Sequence, residues 1–387
     1  MQRHYYHFIP LLLLLPGLPA VAQDDARLPS DVIAIIEKVN DQWQRTHPDH
    51  GNAFWHTAAY HTGNMEAYFA TGKEKYRSYS EAWAEKNEWK GAPSSDKSQW
   101  KYTYGETDDF VLFGDWQICF QTYADLYMQQ PNEQKIARAR EVMEYQMSTP
   151  NNDYWWWADG LYMVMPVMTK LHKATGSDLY LQKLHEYFSY AKNLMYDSES
   201  GLFYRDAKYI YPKHKTKQGS KDFWARGNGW VFAALAKVLS DLPQNDAHRA
   251  EYIQVFQFMA KALKNAQQPE GYWTRSILEA TQAPGYETSG TAFFTYGFLW
   301  GINHGLLERS EYETVTEKAW AYLTKIALQP DGQIGYIQPI GERADQHTVS
   351  AATTADFGVG AFLLAASEML RFMKESQAQA NIKASGR

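Results

Sequence analysis

The sequence predicts an all-α fold in which six helical hairpins close into a single (α/α)6 barrel. Twelve segments carry apolar residues at helical spacing, and most of them form pairs joined by short connections. The first helix of a pair tends to be apolar and to contain glycine, while its partner is more polar, as in an inner and an outer ring. An open solenoid is the alternative, but the pairs recur at irregular intervals without a fixed-period consensus.

The helices follow one another in a regular order. The first covers about Asp31 to Arg45, and pairing it with the last, Gly358 to Met373, would close the ring. Because the connections within the other pairs are short, the partners should be antiparallel neighbours. These pairs are Ala58–Ala70 with Glu74–Asn87, Trp116–Met128 with Glu133–Met147, Leu161–Ala174 with Asp178–Met195, Gly229–Leu239 with Ala247–Ala266, and Thr291–Leu307 with Glu311–Leu328.

An N-terminal segment, residues 1–22, has the pattern of a secretory signal peptide. Arg3 precedes an apolar stretch, and Ala20-Val21-Ala22 provides small residues for cleavage. We therefore expect export to the periplasm or out of the cell, and a mature chain, residues 23–387, that forms one catalytic barrel domain. Cys119 is the only cysteine, so the chain cannot form an internal disulfide.

Composition narrows the range of partners. The formal charge is −6 and is spread without long blocks, which argues against nucleic acid and against an anionic membrane surface. Aromatic residues make up 15% of the chain, more than a core of this size must hold. Some of them should therefore line a ligand surface, and an acidic ligand remains compatible with a local arginine.

Polar groups recur where the inner helices begin. If these helices run in the same direction, their N-termini meet at one end of the barrel and bring these groups together. The groups are Asp115, Asp159, Arg226 with Asn228, Glu287 with Ser289, and Tyr60 with His61. Two carboxylates held close together cannot both ionise easily, so one would stay protonated as a general acid. Arginine suits a substrate carboxylate, and the indoles of Trp155 to Trp157 suit the apolar faces of a sugar.

Each of these groups also has a structural interpretation. Asp115, Asp159 and Glu287 could be plain helix N-caps, and the glycines around Asn228 could serve only a tight turn that packs Trp230 inside. His56 and His61 lack a third ligand at metal spacing, so we expect no metal site and no cofactor. Cys119 should be an inert thiol inside a buried helix.

Seven motifs in order make the mature chain resemble the unsaturated uronyl hydrolases. The family is glycoside hydrolase family 105, the unsaturated rhamnogalacturonyl hydrolases, which is related to family 88. The motifs are WHTAAYHTGNMEAY (55–68), GDWQICFQTYADLY (114–127), WWWADGLYMVMPV (155–167), GLFYRDAKY (201–209), FWARGNGWVFAALAKVL (223–239), ETSGTAFFTYGFLWGI (287–302) and GVGAFLLAASEM (358–369). The resemblance implies an (α/α)6 barrel that acts without a metal or organic cofactor.

The resemblance also implies an activity and a set of site residues. These enzymes take oligosaccharides left by polysaccharide lyases, whose non-reducing end is a uronic acid with a C4=C5 double bond. The residue matching Asp159 protonates C4 and then helps water to add at C5, so that the resulting hemiketal opens and expels the next sugar. Asp115 is the implied partner. The implied binding residues are Arg226, Trp224, Trp230, Asn228, Trp157, Tyr60, His61, Arg205 and Asp206.

Two positions depart from the family pattern. Phe120 replaces a glycine and would narrow the cleft beside Asp115, and Phe357 replaces a tyrosine and removes a hydroxyl. The sequence therefore leaves three alternatives for the parent polysaccharide: rhamnogalacturonan, ulvan or another acidic glycan. Two other classes are an (α/α)6 glycosidase or sugar epimerase, and a non-catalytic glycan-binding protein. A glycosidase would cleave saturated sugars, and an epimerase would need paired histidines.

Overall fold

A computed structural model describes residues 28–385, with side chains to residue 382. The predicted signal peptide lies outside the described residues. The helices are α1 (Pro29–Thr46), α2 (Trp55–Thr71), α3 (Glu74–Lys86), α4 (Gly114–Gln117), α5 (Cys119–Gln129), α6 (Gln134–Ser148), α7 (Ala158–Thr175), α8 (Leu179–Met195), α9 (Ala225–Asp241), α10 (Arg249–Ala266), α11 (Thr288–Asn303), α12 (Arg309–Tyr322) and α13 (Asp356–Ser385). Two short antiparallel strands, β1 (Tyr196–Asp197) and β2 (Leu202–Phe203), follow α8.

The predicted all-α class and helix order are confirmed. The segment predicted from Trp116 is split into α4 and α5, but Ile118 between them keeps helical backbone angles, so the pair follows one axis. α12 continues as a π-helical turn, Leu323–Ala327. Among residues 28–385, no helix combines the length and the apolar character that crossing a bilayer requires.

The inner helices form a closed ring. In order they are α2, α5, α7, α9, α11 and α13, and each packs against the next, with α13 returning to α2. This last contact is very close, because a Cβ on Gly63 of α2 would come within 2.2 Å of the carbonyl oxygen of Gly360 in α13. The outer helices α3, α6, α8, α10 and α12 pack on the inner helix that precedes each of them, and α1 packs on α13. Ring closure excludes the open solenoid.

A proline in the middle of α7 is accommodated by a neighbouring helix. Pro166 has no N–H, which leaves the carbonyl of Tyr162 without its usual helical donor. The side chain of Gln121 on α5 supplies a replacement, since its Nε2 donates to the Tyr162 oxygen at 2.6 Å. The helix that carries Asp159 therefore stays continuous through the barrel wall.

The inner helices all begin at the same end of the barrel, and long loops lead into them. Two backbone bonds tie these loops to the helix starts. Ala158 N, at the start of α7, donates to Arg205 O at 2.8 Å, and Ala225 N, at the start of α9, donates to Arg275 O at 2.8 Å. Residues far apart in the sequence are thereby held around one opening.

Candidate active site

A cavity of about 540 Å³ opens at the end of the barrel where the inner helices begin. It has a polar floor and aromatic walls, a combination that suits a sugar. The lining residues are Phe54, Trp55, His56, Tyr104, Glu106, Phe113, Asp115, Trp156, Trp157, Asp159, Met163, Arg205, Lys208, Trp224, Arg226, Trp230, Ile340, Gly341, Glu342 and Gln346. Among the predicted site residues, Asp115, Asp159, Arg226, Trp224, Trp230, Trp157 and Arg205 therefore share one cavity.

The two acids do not serve as helix caps. Asp115 is the second residue of α4 and Asp159 the second of α7, and the N-cap positions belong to Phe113 and Trp157, without a side-chain capping bond. Asp115 is 7% exposed and Asp159 is 8% exposed. Within the described chain, Asp159 Oδ1 has no hydrogen-bond partner. Both carboxyl groups are thus buried beside the cavity without a capping role.

The surroundings of the two acids shift their proton affinities. Burial, and then the charge of Asp159, raises the pKa of Asp115 well above its usual value. Burial also raises the pKa of Asp159, but the positive charges of Arg205 and Arg226 act in the opposite direction. The pair therefore has the composition expected of a proton-transfer site: two buried acids, of which Asp159 faces Arg205 and Arg226, whereas burial and the charge of Asp159 dominate at Asp115.

Arg205 and Asp206 come from the loop after β2. Arg205 Nη1 donates to Asp206 Oδ2 at 2.5 Å, and Arg205 Nε lies 3.6 Å from Asp159 Oδ2. Asp206 is 2% exposed and does not line the cavity, so its predicted place in the binding shell is corrected. Its carboxylate also accepts the backbone N–H of Lys208 at 2.7 Å, and it fixes Arg205 beside Asp159.

The Arg226 side chain is held by two backbone carbonyls and two aromatic rings. Its Nη1 donates to the carbonyl of Gln338 at 2.6 Å and its Nη2 to the carbonyl of Pro339 at 2.9 Å. The guanidinium carbon lies 4.5 Å from the ring centre of Trp224 and 4.8 Å from that of Phe357. Burial lowers the pKa of Arg226 to about 10, so it remains a cation at neutral pH. Much of its donor capacity thus anchors the loop that precedes α13.

Small residues allow one indole to lie against two helix starts. A Cβ on Gly160 would meet the Trp157 ring at 3.0 Å, and one on Gly114 would meet the same ring at 3.1 Å. Trp157 also stacks on Phe113, with ring centres 4.9 Å apart. Trp156 and Trp157 therefore form part of the predicted aromatic wall, whereas Trp155 is buried and does not line the cavity.

Three other predicted binding residues lie away from the cavity. α2 begins at Trp55 rather than Ala58, so Tyr60 and His61 lie more than a turn below the opening and are fully buried. Tyr60 donates to Asn40, and His61 Nδ1 lies 2.9 Å from Ser80 Oγ, with burial lowering the pKa of His61 well below its usual value. Asn228 is also fully buried. It bonds both the N–H and the carbonyl of Phe203, at 2.8 and 2.9 Å, and so anchors β2.

Glu287, Phe120 and Phe357 lie outside the cavity. Glu287 is the N-cap of α11, as the structural alternative predicted, because its carboxylate accepts the N–H groups of Ser289 and Gly290. It also accepts the N–H of Gln338 at 3.2 Å. Phe120 is 1% exposed and does not line the cavity, so it does not narrow the cleft. Phe357 is not a lining residue either, but its ring supports Arg226.

Sequence reasoning missed the residues that come from the loops. Tyr104, Glu106 and Glu342 line the cavity, but nothing in their sequence neighbourhoods indicates a helix start. Trp55 and His56 were detectable, since they open the first of the seven motifs and begin α2. His56 is held by Asp356 at the start of α13, with 3.1 Å between Nδ1 and Oδ2.

The one group of His, Asp or Glu side chains that could share a metal ion, within the described part of the chain, lies on the outer ring. It comprises His185 on α8, Glu251 on α10 and His248, which immediately precedes α10, and none of the three lines the cavity. The carboxylate of Glu251 already pairs with Lys192. The cavity itself presents the acids, arginines and indoles described above.

Comparison with known proteins identifies the family. The sequence profile of Glycosyl Hydrolase Family 88 matches residues 33–373. The chain belongs to glycosyl hydrolase family 88. An unsaturated 3S-rhamnoglycuronyl hydrolase of Formosa agariphila is 32% identical over 342 residues, which cover 85% of this chain and 88% of that protein.

Solved structures of this hydrolase family agree with the fold. A structure described as glycosyl hydrolase family 88 from Bacteroides vulgatus is 58% identical, with a TM-score of 0.88, and the match covers 89% of this chain and 99% of that one. Another, named a polysaccharide lyase, is 65% identical, with a TM-score of 0.88 and coverage of 89% and 98%. The predicted family is confirmed, and with it an unsaturated uronyl hydrolase that removes an unsaturated uronic acid from oligosaccharides.

Proposed function

We propose that the cavity binds the non-reducing-end Δ4,5-unsaturated uronate and that Asp159 catalyses hydration of its double bond. The supporting observation is the position of Asp159, which is buried at the cavity with Oδ1 unpartnered and an arginine 3.6 Å from Oδ2. A protonated Asp159 gives its proton to C4, and the same carboxylate then removes a proton from the water that adds at C5. The hemiketal formed at C5 opens and expels the neighbouring sugar.

The remaining groups have supporting roles in this proposal. Asp115 is the partner acid: two buried carboxyl groups held close together cannot both ionise easily, so the pair retains a proton. Arg226 and Arg205 supply the positive charge that a uronate carboxylate requires. Trp157, Trp224 and Trp230 provide ring faces for the sugar. The bond between the sugars is broken through hydration of an alkene, so no attack at the anomeric carbon is needed.

The relative from Formosa agariphila suggests a substrate class. Its name specifies a 3S-rhamnoglycuronyl substrate, and we propose that this chain likewise takes unsaturated uronates linked to rhamnose. Lyase products of ulvan and of rhamnogalacturonan both contain this arrangement. We also propose, from residues 1–22, that the enzyme is exported and meets these oligosaccharides in the periplasm or outside the cell.

One assay tests the proposal and distinguishes it from a second candidate. Incubation with a panel of lyase products should lower the ultraviolet absorbance of the conjugated double bond, with the fastest loss on rhamnose-linked uronates. The name of the 65% identical structure favours a lyase as the alternative. A lyase removes the C5 proton and expels the C4 substituent, so absorbance would rise on saturated polysaccharide. A rise would overturn the hydrolase proposal, and no change on any lyase product would do the same.

A further inference from the structure

Arg205 lies among three carboxylates at the floor of the cavity. Its Nη1 is 2.5 Å from Asp206 Oδ2 and 3.8 Å from Glu342 Oε2, and its Nε is 3.6 Å from Asp159 Oδ2. Asp206 holds the guanidinium in place, because that contact is a short charge-assisted hydrogen bond. The contact with Asp159 is longer, and within the described residues Arg205 Nε has no hydrogen-bond partner. Arg205 is therefore fixed at one end and has unused donors at the other.

Arg226 differs in this respect. Both of its terminal nitrogens already donate to backbone carbonyls, those of Gln338 and Pro339, and the guanidinium is enclosed between Trp224 and Phe357. Arg226 is only 1% exposed, whereas the Arg205 side chain is 12% exposed. Of the two arginines, Arg205 is the one with a terminal nitrogen, Nη2, that donates to no described residue, so that a ligand carboxylate can bind it.

We infer that Arg205 receives the substrate carboxylate, and that this carboxylate neutralises the positive charge that Arg205 presents to Asp159, so that Asp159 takes up the proton it later donates. The inference rests on the proposed function and adds to it a coupling between substrate binding and protonation. Arg205 acts here as a binding residue for the carboxylate and as a positioning residue for the proton.

The charges around Asp159 explain the coupling. The charged groups come from four different segments: Asp115 on α4, Arg205 and Asp206 in the loop after β2, Arg226 on α9, and Glu342 in the loop before α13. Burial raises the pKa of Asp159, and Arg205 is the largest influence that lowers it. A carboxylate on Arg205 cancels that influence and adds a negative charge nearby. Asp159 then retains only the effects of burial, the other acids and the enclosed Arg226, and its pKa rises further.

The proton balance closes over one catalytic cycle. Binding of the uronate draws a proton from solvent onto Asp159, and that proton forms the new C4–H bond. Water adds to C5 and returns a proton to Asp159, so the cycle consumes only water. When the product leaves, the positive charge of Arg205 again acts on Asp159, and the extra proton is released. A neutral sugar cannot engage Arg205 in this way, so Asp159 gains its proton only when a uronate is bound.

Calorimetry can test the coupling without turnover. Methyl glucuronide, a saturated uronate, is titrated into the wild type in two buffers with different ionisation enthalpies, between about pH 4 and about pH 8. We expect uptake of up to about one proton, largest between the pKa of the free site and that of the complex. Arg205→Gln should abolish the uptake and weaken binding about tenfold or more. A wild type that does not bind the uronate, or binds it without taking up protons, overturns the inference.

Kinetics on a lyase product supply the second readout. In the wild type the pKa that governs kcat, which belongs to the complex, should lie above the pKa that governs kcat/KM, which belongs to the free enzyme. Arg205→Gln should raise KM and close this gap, and Arg205→Lys, which keeps the charge, should retain most of it. Lys264→Gln is the control, since it removes an outer-ring cation paired with Glu311. It should change neither KM nor the gap between the two pKa values.

The outcomes separate the inference from the proposed function. If the wild type hydrates lyase products while Arg205→Gln keeps the same KM and the same gap, the inference fails and the function stands. If the wild type turns over no lyase product, the function fails, and proton uptake with methyl glucuronide still decides the coupling. Should Arg205→Gln not fold, Arg205→Met and the Arg205→Lys profile give the same comparison.

Discussion

The two ends of the barrel both contain buried acids but treat them in opposite ways. Where the inner helices end, a second cavity of about 500 Å³ contains ion pairs. Glu66 lies 2.9 Å from Arg371, Asp241 lies 2.7 Å from Lys173, and Asp125 contacts Lys170. Where the inner helices begin, Asp115 forms no ion pair with any described residue, and Asp159 keeps one oxygen unpartnered.

The proton affinities follow this difference at two of the three paired acids. Burial opposes ionisation at both ends, but the charge of Arg371 lowers the pKa of Glu66 and that of Lys170 lowers the pKa of Asp241, whereas burial still raises the pKa of Asp125. At the opposite end, burial prevails and raises the pKa of Asp115 and Asp159. Paired acids contribute to the structure, whereas acids without full pairing can exchange protons with a substrate. The end where the inner helices begin is therefore the reactive end of the barrel, whereas the acids at the other end contribute to stability.

The largest effect should come from Asp159→Asn. The amide cannot donate a proton to C4 or accept one from water, so kcat should fall by about 10⁴-fold, or about 5 kcal/mol of activation free energy. The variant should retain its fold and still bind uronates, as circular dichroism and calorimetry would show. Loss of ultraviolet absorbance from a lyase product measures the rate. Turnover near the wild-type rate would remove Asp159 from its proposed role.

At the opposite end, Lys170→Met should act on stability. It leaves the carboxylate of Asp125 buried and unpaired, which should cost about 3–5 kcal/mol of unfolding free energy. Urea denaturation measures the loss, while kcat/KM of the folded variant should stay within about threefold of wild type. The double variant Asp125→Leu with Lys170→Met is the control, since it removes both charges and should recover much of the stability. A cost below about 1 kcal/mol would mean that the pair behaves like a surface ion pair.

A smaller change in the free energy of unfolding, in the stabilising direction, is expected from Asp115→Asn. The raised pKa of Asp115 means that its charged form is disfavoured in the folded state. The resulting penalty is absent below the ordinary pKa of an aspartate, grows as the pH rises, and is complete above the folded-state pKa. Asparagine removes it, so the variant should be more stable by about 1–2 kcal/mol at high pH and equal to wild type near about pH 3. Thermal unfolding across this range checks the sign, and a variant that is less stable at high pH would contradict it.

The sequence predicted the barrel because helix pairing and apolar spacing are local properties. It also placed Asp115, Asp159 and Arg226 together, since all three occur near helix starts that the ring closure brings to one end. It could not place Arg205 in contact with Asp159, because that contact depends on a backbone bond from Ala158 to a distant loop. Nor could it show that carbonyls of residues 338 and 339 occupy Arg226.

Two of the errors in the site prediction originate at the start of α2. Phe54 caps this helix without a side-chain bond, so no capping residue marked the true beginning at Trp55. The prediction began the helix at Ala58 and consequently placed Tyr60 and His61 at the opening. A shift of three residues rotates and lowers each side chain by almost one turn. The residues that line the opening are therefore Trp55 and His56.

Tyr60→Phe should give the smallest effect and test this correction. The hydroxyl of Tyr60 donates to Asn40 and accepts from Gln44 Nε2 at 3.1 Å, so its removal costs buried hydrogen bonds worth about 1 kcal/mol of stability. KM and kcat should stay within about twofold of wild type, because this ring does not line the cavity. Trp157→Phe is the matched comparison, since it shortens a ring that does line the cavity and should raise KM. A tenfold rise in KM for Tyr60→Phe would contradict this correction, because it would show that the binding site extends along α2 to Tyr60.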